Sequence, residues 1–263
     1  MTTATTLRTL WLAVLSLTLA ACASQGGGKD AATTKRWTES ALTTALAAPS
    51  RPQADKDRDA DRKPAQLMTF LGVEPGMTAL DAVAVGGYMT EVLSIAVGPN
   101  GKVYSQNPPA VYQLQGGMYK KPVDERHANK RLPNTVRVDG DLPATAQIPA
   151  GSVDVALTAQ NFHDIYYINA AAAQQFMNGI YATLKPGGAL LLTDHVGVDG
   201  ANNAQLHRVP KQIAIDFAKK AGFVVEAESN LLAHPADDHS KMVFDPSLRG
   251  KTDQFLLRLR KPK

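Results

Sequence analysis

From residue 73 onward, short apolar segments alternate with longer amphipathic ones, and this alternation is what most constrains the fold. Segments with the length and apolar character of β-strands lie at 77–82, 101–106, 134–138, 152–159, 188–194, 223–229 and 253–261. Helix-like segments lie between several of them, at 88–97, 170–184 and 208–222. Strands that are separated by helices predict an α/β fold with a doubly wound, mainly parallel sheet.

The amino-terminal residues 1–21 are predicted to be a signal peptide. Their apolar segment at 10–21 is too short to cross a bilayer, which needs ~20 residues. It ends in "LAAC" at 19–22, which resembles a bacterial lipobox, and Cys22 is the only cysteine of the chain. The resemblance implies cleavage before Cys22 and a diacylglyceryl anchor on it. We therefore expect a lipid-anchored protein of a bacterial cell envelope that faces the periplasm.

Two segments are predicted between this anchor and the sheet. Residues 22–36 are rich in Gly, Ala, Ser and Thr without periodicity, which is typical of a flexible tether. Residues 37–72 are predicted to be a helical extension, with Thr38 as the N-cap of its first helix and Pro64 at the start of its last. Residues 73–263 are predicted to form the domain that contains the sheet.

The charge of the chain excludes one class of partner. The formal net charge is only +4, and the 28 Lys and Arg residues are scattered without a basic block. Nucleic-acid binding needs a concentrated basic patch that faces the phosphates. We therefore expect no nucleic-acid partner, and we expect contact with the membrane only through the lipid anchor.

The segment "LDAVAVGGYMTE" at 80–91 has the form of a nucleotide-binding turn. In doubly wound sheets ligands bind beyond the carboxyl ends of the strands, which is where this turn is expected to lie. Gly86 and Gly87 permit positive φ and close approach of the backbone to a ligand, whereas Val83 and Val85 stand where such loops usually carry glycine. The fingerprint G-x-G-x-x-G is absent, which counts against NAD or FAD. Taken alone, the segment fits an ordinary strand-to-helix turn about as well.

Several motifs accompany this loop in a specific order. They are "RKPAQLMTFLGVEPGMTALD" at 62–81, "GKVYSQN" at 101–107, "NFHDIYY" at 161–167, "LKPGGALLLTDH" at 184–195, "LHRVP" at 206–210 and "VFDPSLRGKTDQFLLRLRKP" at 243–262. The set resembles the class I S-adenosylmethionine-dependent methyltransferases, and more narrowly a group of bacterial predicted methyltransferases that are often exported. The resemblance covers residues 50–262. It implies a Rossmann-like, mainly parallel seven-stranded sheet with a terminal antiparallel strand, and S-adenosylmethionine as the cofactor.

The resemblance also implies a set of cofactor contacts. Asp81 and the Gly86–Gly87 backbone are expected to flank the methionine part of the cofactor. Asn107 takes the place of an acid that accepts hydrogen bonds from the ribose hydroxyls, and an amide can both accept and donate there. Asp141 takes the place of an acid that reaches the adenine amine. Val85 departs from the glycine expected at its position, so it narrows the pocket or shifts the loop.

Polar residues also follow the fourth and fifth predicted strands, at the same edge of the sheet. Methyl transfer depends on alignment and exclusion of water, and it needs a general base only where the acceptor loses a proton. His163 and His195 are both candidates for that base because histidine titrates near neutrality, and Asp164 completes the predicted catalytic set. The predicted acceptor-binding residues are Asn161, His207 and Arg208, of which Arg208 is the candidate for an anionic acceptor.

Each of these residues also has a structural interpretation. The motif "NFHDIYY" fits the start of a helix, with Asp164 as its cap and His163 as a satisfied internal residue. The pair His207 and Arg208 fits the start of another helix. Asp164, Asp194 and His195 offer ligand types that a metal ion accepts, but no spacing requires a site. No metal site is assigned.

Three functions are compatible with these features. The principal prediction is a methyltransferase that uses S-adenosylmethionine on an unidentified small-molecule acceptor. The alternative is an envelope-anchored, methyltransferase-like binding protein that has lost transfer activity, which agrees with Val85 and with a location outside the compartment in which the cofactor is made. A hydrolase based on the His and Asp residues is weaker, because the chain has no G-x-S-x-G nucleophile elbow.

Overall fold

A seven-stranded sheet is the centre of the computed structural model, which describes residues 1–2, 36–142 and 146–263. Its strands are β1 Thr78–Ala82, β2 Lys102–Asn107, β3 Thr135–Asp139, β4 Val153–Ala159, β5 Leu184–His195, β6 Val224–Ser229 and β7 Gln254–Arg260. Their order is β3-β2-β1-β4-β5-β7-β6, in which β1 to β5 pair in parallel and β7 is antiparallel to both β5 and β6. The predicted doubly wound sheet with a terminal antiparallel strand is confirmed.

Helices cover both faces of this sheet. They are α1 Glu39–Leu46, α2 Gln53–Lys56, α3 Asp59–Arg62, α4 Pro64–Leu71, α5 Tyr88–Val97, α6 Lys120–His127, α7 Phe162–Ile168, α8 Ala170–Thr183, α9 Asn203–Leu206 and α10 Lys211–Ala221. Three 3₁₀ segments lie at Pro109–Gly117, Ala128–Lys130 and Pro246–Leu248. Within the described ranges, no helix combines the length and apolar character that a membrane crossing needs.

The strands supply two hydrophobic cores because successive side chains point to opposite faces of a sheet. Leu190 and Leu192 of β5 belong to the core under α8 and α10. Leu191, between them, belongs to the core under α1, α4 and α5. All three side chains are fully buried. The helices thus fix the strand ends from both sides, and those ends carry the candidate site.

The helical extension packs on the same face as α5. The Thr38 hydroxyl accepts a hydrogen bond from the Ala41 amide, which confirms the predicted N-cap of α1. Trp37 donates its indole N–H to the Ala96 carbonyl of α5 at 2.6 Å. Residues Thr34–Lys263 form one compact unit, so the extension is part of the same folded body. Cys22 lies outside the described residues.

Two predicted starts differ from the structure by three residues or more. β5 begins at Leu184, because Leu184 already pairs with Val153 before the register shifts and "KPG" bulges out of the ladder. α10 begins at Lys211 and not at 208, because Pro210 disfavours a helical conformation of the residue before it. Val209 instead bridges to Val196 in parallel.

Candidate cofactor and acceptor site

The loop after β1 has the backbone shape of a glycine loop although it carries two valines. Val83 has a φ of 57° and Val85 a φ of 52°, both in the left-handed region that β-branched residues avoid. Among the described residues, eight that are not glycine have positive φ. Four of these eight belong to this edge of the sheet: Val83, Val85, Gln160 and His207. Such strain persists only where surrounding contacts hold the backbone in place.

Three side-chain amides hold the loop, two from the end of β2 and one from the residues after β4. From β2, Gln106 accepts the Val83 amide at 3.0 Å, and Asn107 both accepts the Val85 amide at 2.8 Å and donates to the Val85 carbonyl at 3.1 Å. After β4, Asn161 donates to the Val83 carbonyl at 3.0 Å. We call Gln106, Asn107 and Asn161 the amide clamp. The clamp satisfies the polar groups of both strained valines.

The clamp changes the interpretation of Asn107. Its side chain is 1% exposed, and both ends of its amide bond the Val85 backbone. These contacts give Asn107 a role in bracing the loop, and its predicted contact with a ribose stays a prediction. The same holds for Asn161, whose amide donates to Val83 and to Ala159. Gln106 was not among the predicted site residues. Its signal in the sequence is the pair Gln-Asn, which ends β2 and recurs directly after β4.

Gly86 and Gly87 differ in how closely they are covered. Arg126 of α6 donates to the Gly86 carbonyl at 2.6 Å, and a Cβ on Gly87 would lie 2.7 Å from Cδ of Arg126. Gly87 also has a φ of 80°, so glycine is required there on two grounds. A Cβ on Gly86 would meet nothing closer than 3.7 Å. Val85 and Gly86 are the part of the loop that remains partly exposed.

The two predicted acids of the cofactor site occupy different environments. Asp81 is 2% exposed and accepts a hydrogen bond from the Thr90 hydroxyl at 2.6 Å. Burial raises the pKa of Asp81 to about 6, although the hydrogen bond from Thr90 and the charge of Arg126 oppose the shift. Asp141, just beyond β3, is exposed. The structure therefore places Asp81 beneath the loop and Asp141 at the open edge.

His163 and Asp194 form a buried pair at the ends of β4 and β5. The Asp194 carboxylate is fully buried and contacts Nδ1 of His163 at 2.7 Å, and it also accepts the backbone amides of His163 and His195, each at 2.8 Å. Burial would lower the pKa of His163, but Asp194 and Asp164 outweigh it and raise that pKa to about 10. Nε2 of His163 is buried without a hydrogen-bond partner.

His195 lies beside this pair, but its surroundings favour the opposite protonation state. Burial lowers the pKa of His195 to about 4, against the attraction of Asp194. Its Nδ1 is also buried without a hydrogen-bond partner, and its ring centroid lies 5.8 Å from that of His163. The two candidate bases are therefore adjacent, one favoured as the cation and the other as the neutral imidazole.

The remaining predicted residues separate into two groups. Nδ1 of His207 lies 2.9 Å from Oδ1 of Asp164, and Oδ1 of Asp164 also contacts Nε2 of His163. We call His163, Asp164, Asp194, His195 and His207 the histidine cluster. Arg208 does not belong to this cluster, because it is fully buried and bonds Asp237, the Lys241 carbonyl and the Val196 carbonyl. The predicted contact of Arg208 with an anionic acceptor is thus corrected to a structural role.

Arg62 of the helical extension reaches the same edge and was not predicted from the sequence. Its guanidinium donates to Oε1 of Gln160 at 3.1 Å and lies 5.0 Å from the ring centre of Tyr88. Burial and the neighbouring Arg58 lower the pKa of Arg62 to about 10. The extension thus lies against the ends of β1 and β4, where a ligand of this fold would be covered.

Two cavities among the described residues lie away from this edge. One of about 410 Å³ lies at the opposite edge, where β1, β4 and β5 begin, and is lined by residues that include Met77, Asp154 and Lys185. Another of about 320 Å³ lies between α1 and α4. Ligands of open α/β sheets bind at the carboxyl ends of the strands. The candidate site is therefore defined by the strained loop and the unpartnered ring nitrogens at those ends.

Solved structures with the same architecture include proteins of different activities. An S-adenosylmethionine-dependent methyltransferase from Aquifex aeolicus superposes with a TM-score of 0.56 at 18% identity, over 86% of this chain and 100% of that one. The cyclase SpnF superposes with a TM-score of 0.55 at 18% identity, over 77% of this chain and 81% of that one. A protein from Bordetella parapertussis described as a possible exported protein gives 0.50 at 13% identity, over 79% and 68%.

The strand order and these superpositions agree. The chain has the class I methyltransferase fold. No family model matches it, and the comparison with curated proteins found no match. Because a methyltransferase fold also supports a cyclase, the fold alone does not fix the reaction, and function has to be argued from the residues of the site.

Proposed function

We propose that this protein is an S-adenosylmethionine-dependent methyltransferase that acts on a small-molecule acceptor at the carboxyl ends of β1, β4 and β5. The observation that carries the proposal is the strained loop after β1. Val83 and Val85 keep left-handed backbone conformations, each at a cost on the order of 1–3 kcal/mol, and three buried or half-buried amides hold them there. A loop that served only as a turn would not need this shape.

The residues around the loop fit a cofactor with an ammonium group, hydroxyls and a sulfonium. Val85 and Gly86 leave part of the loop accessible, and Asp139 and Asp141 expose carboxylates at the end of β3. S-adenosylmethionine supplies an activated methyl group when bound. The chain itself supplies positioning through the clamped loop, with the extension around Arg62 restricting access of water.

On the acceptor side we assign the central place to His195. Its Nδ1 is the kind of orphaned buried polar atom that a bound ligand would satisfy. Where the acceptor attacks through a hydroxyl or thiol, we assign proton acceptance to His195, because its lowered pKa keeps it the neutral imidazole of the two histidines. His163 and Asp164 then act as its neighbours within the predicted catalytic set.

Calorimetry with S-adenosylhomocysteine on the purified protein tests the proposal, with two glycine variants as the matched pair. Gly87→Ala introduces a Cβ at 2.7 Å from Arg126 and a strained φ, so we expect at least tenfold weaker binding. Gly86→Ala meets only ordinary contacts, so we expect little change. Thermal unfolding of both variants controls for loss of the folded state.

The outcomes separate the functions. If a folded Gly87→Ala protein binds S-adenosylhomocysteine as well as the parent, the loop is only a turn and the proposal fails. Binding by the parent without methyl transfer to any acceptor would favour the binding protein without transfer activity. Absence of S-adenosylhomocysteine binding by the parent would exclude both the methyltransferase and the binding protein.

We also propose that the protein is anchored in a bacterial envelope through Cys22 and faces the periplasm. Support comes from the sequence alone: a short apolar segment ends directly before the only cysteine, in "LAAC".

A further inference from the structure

Three side chains of the histidine cluster converge on one point. His163, Asp164 and His207 each offer one ligand atom, and these atoms all lie within 4.8 Å of one another. Oδ1 of Asp164 is 3.2 Å from Nε2 of His163 and 2.9 Å from Nδ1 of His207. Ligand atoms at about 2.0–2.2 Å from a shared metal ion lie roughly 3–3.5 Å apart. The two distances to Asp164 are already close to that spacing, and the histidine nitrogens lie within 4.8 Å of each other.

The orientation of His163 is fixed by a second carboxylate. Nδ1 of His163 pairs with Asp194 at 2.7 Å, and the backbone amide of His163 bonds the other oxygen of the same carboxylate at 2.8 Å. This arrangement leaves Nε2 to point at Asp164. Metal-binding histidines typically use their second nitrogen for such a carboxylate partner, which orients the ring and makes it a better ligand.

Nε2 of His163 forms no hydrogen bond, although it lies 3.2 Å from Oδ1 of Asp164. The residue is 3% exposed, and this nitrogen is buried without a hydrogen bond, because its contact with Asp164 lacks hydrogen-bond geometry. Buried polar atoms without partners are rare in folded proteins and need an explanation. A metal ion between Nε2, Asp164 and His207 provides one.

We infer that His163, Asp164 and His207 bind a divalent transition-metal ion at the ends of β4 and β5. Two imidazoles and one carboxylate are the donor set that suits Zn²⁺, Fe²⁺ or Co²⁺, whereas Mg²⁺ and Ca²⁺ prefer oxygen ligands throughout. Three protein ligands leave a coordination position open for water or an acceptor atom.

The set differs from the one considered in the sequence. Asp194 is fully buried and already accepts three N–H groups, so it acts on the ion only through His163. His207, 43 residues from Asp164 in the chain, takes its place as a ligand. The inference requires only these side chains and stands independently of methyl transfer.

Titration of the metal-free, untagged protein with CoCl₂ tests the inference. We expect one Co²⁺ per chain, with visible d–d absorption of a nitrogen- and oxygen-ligated ion, and competition by ZnCl₂. S-adenosylhomocysteine binding is measured on the same samples. Co²⁺ binding without S-adenosylhomocysteine binding would support this site while rejecting the proposed function. S-adenosylhomocysteine binding without Co²⁺ binding would reject this site alone.

A matched pair of histidine variants makes the test specific. His207 and His239 both have positive φ, at 54° and 63°, and each pairs with an aspartate, at 2.9 and 3.0 Å. Asn tolerates this backbone, so His207→Asn and His239→Asn are equally conservative. We expect His207→Asn to weaken Co²⁺ binding by at least about 100-fold, beyond the 10–100-fold typical of an outer-shell loss, and His239→Asn to leave it unchanged.

Asp164→Asn provides a second variant, since the Asp164 side chain is half exposed and its loss leaves the buried residues in place. We expect the same loss of Co²⁺ binding. If the parent binds no Co²⁺ or Zn²⁺, the cluster is a His163 imidazolium held between two carboxylates and the inference is wrong. Equal affinity in the parent, His207→Asn and Asp164→Asn would place any bound ion elsewhere and overturn the inference as well.

Discussion

At the scale of single residues, Val83 and Val85 show how side-chain amides can impose a backbone shape that the residues themselves disfavour. Each valine has positive φ, and each has both of its backbone polar groups bonded by the amide clamp. The clamp offsets strain by satisfying N–H and C=O groups that would otherwise be buried without partners. The strain itself remains measurable, because glycine would not experience it.

We predict that Val85→Gly is much less destabilising than a valine-to-glycine substitution in an unstrained part of the backbone. Val136 of β3 is the control, because it is also incompletely buried and has an ordinary strand backbone. Val136→Gly loses side-chain packing and adds flexibility, whereas Val85→Gly also relieves about 1–3 kcal/mol of strain. In urea unfolding we expect Val85→Gly to cost at least about 1 kcal/mol less than Val136→Gly. An equal or greater cost would mean that the loop carries no strain.

Asp81 makes a prediction about pH. Its pKa is raised to about 6 in the folded protein from an ordinary 3.8, so the folded state binds more protons than the unfolded state between these values. The stability that protonated Asp81 contributes is present below pH 4 and is lost as pH rises through 6. Asp81→Asn removes this dependence and can still accept the Thr90 hydroxyl. Its stability relative to the parent should rise by on the order of 2–3 kcal/mol from pH 4 to 7.

Urea unfolding of parent and Asp81→Asn at several pH values measures this difference. Asp124 supplies the control, because its hydrogen bonds with Lys120 and Arg137 lower its pKa, so Asp124→Asn should not gain stability over the parent as pH rises. Parallel pH profiles for parent and Asp81→Asn would show that Asp81 ionises as readily in the folded protein as in the unfolded chain.

At the scale of elements, the helical extension is tied to the loop by a buried ionic network. Arg126 of α6 pairs with Asp55 of α2 and with Glu91 of α5, and Arg131 pairs with Glu91 at 2.6 Å. Asp55, Glu91 and Arg126 are all at most 9% exposed. The same Arg126 covers Gly86 and Gly87, so the position of the extension and the shape of the loop are coupled.

We predict that Asp55→Ala loosens both elements together. Removing one partner of a buried ion pair typically costs 3–5 kcal/mol, and because Glu91 still pairs with Arg126 we expect about 1–3 kcal/mol here. Hydrogen exchange should increase in α2 and also in the first turn of α5. Asp57→Ala, in an exposed residue that bonds only Gln53, should change neither. Faster exchange confined to α2 would contradict the coupling.

The elements and the site differ in how far the sequence predicts them. Strands such as β5 and helices such as α5 follow from local apolar periodicity, and α5 begins and ends at the predicted residues. The amide clamp does not, because Gln106 and Asn161 meet the loop only once β2 and β4 flank β1. The bond between His207 and Asp164 likewise depends on tertiary packing and not on any local pattern.

At the scale of the whole molecule, the proposed lipid anchor determines where the sheet operates. We predict that Cys22→Ser blocks processing of the signal segment or releases the protein from the membrane fraction, because serine lacks the thiol that lipid attachment needs. Fractionation of cells that express the parent and the variant measures both effects. Mutation of Ser24 to alanine, two residues later, is the control. Identical fractionation and processing of parent and Cys22→Ser would exclude the anchor.

The position of β7 has a consequence for how the protein is made. β7 lies between β5 and β6, and it buries Phe255, Leu256, Leu257 and Leu259 there. Until a ribosome has synthesised residue 260, β5 and β6 therefore lack the strand that pairs with both of them. The nascent chain thus cannot complete its sheet early, and the last step of folding is delayed until synthesis has passed β7.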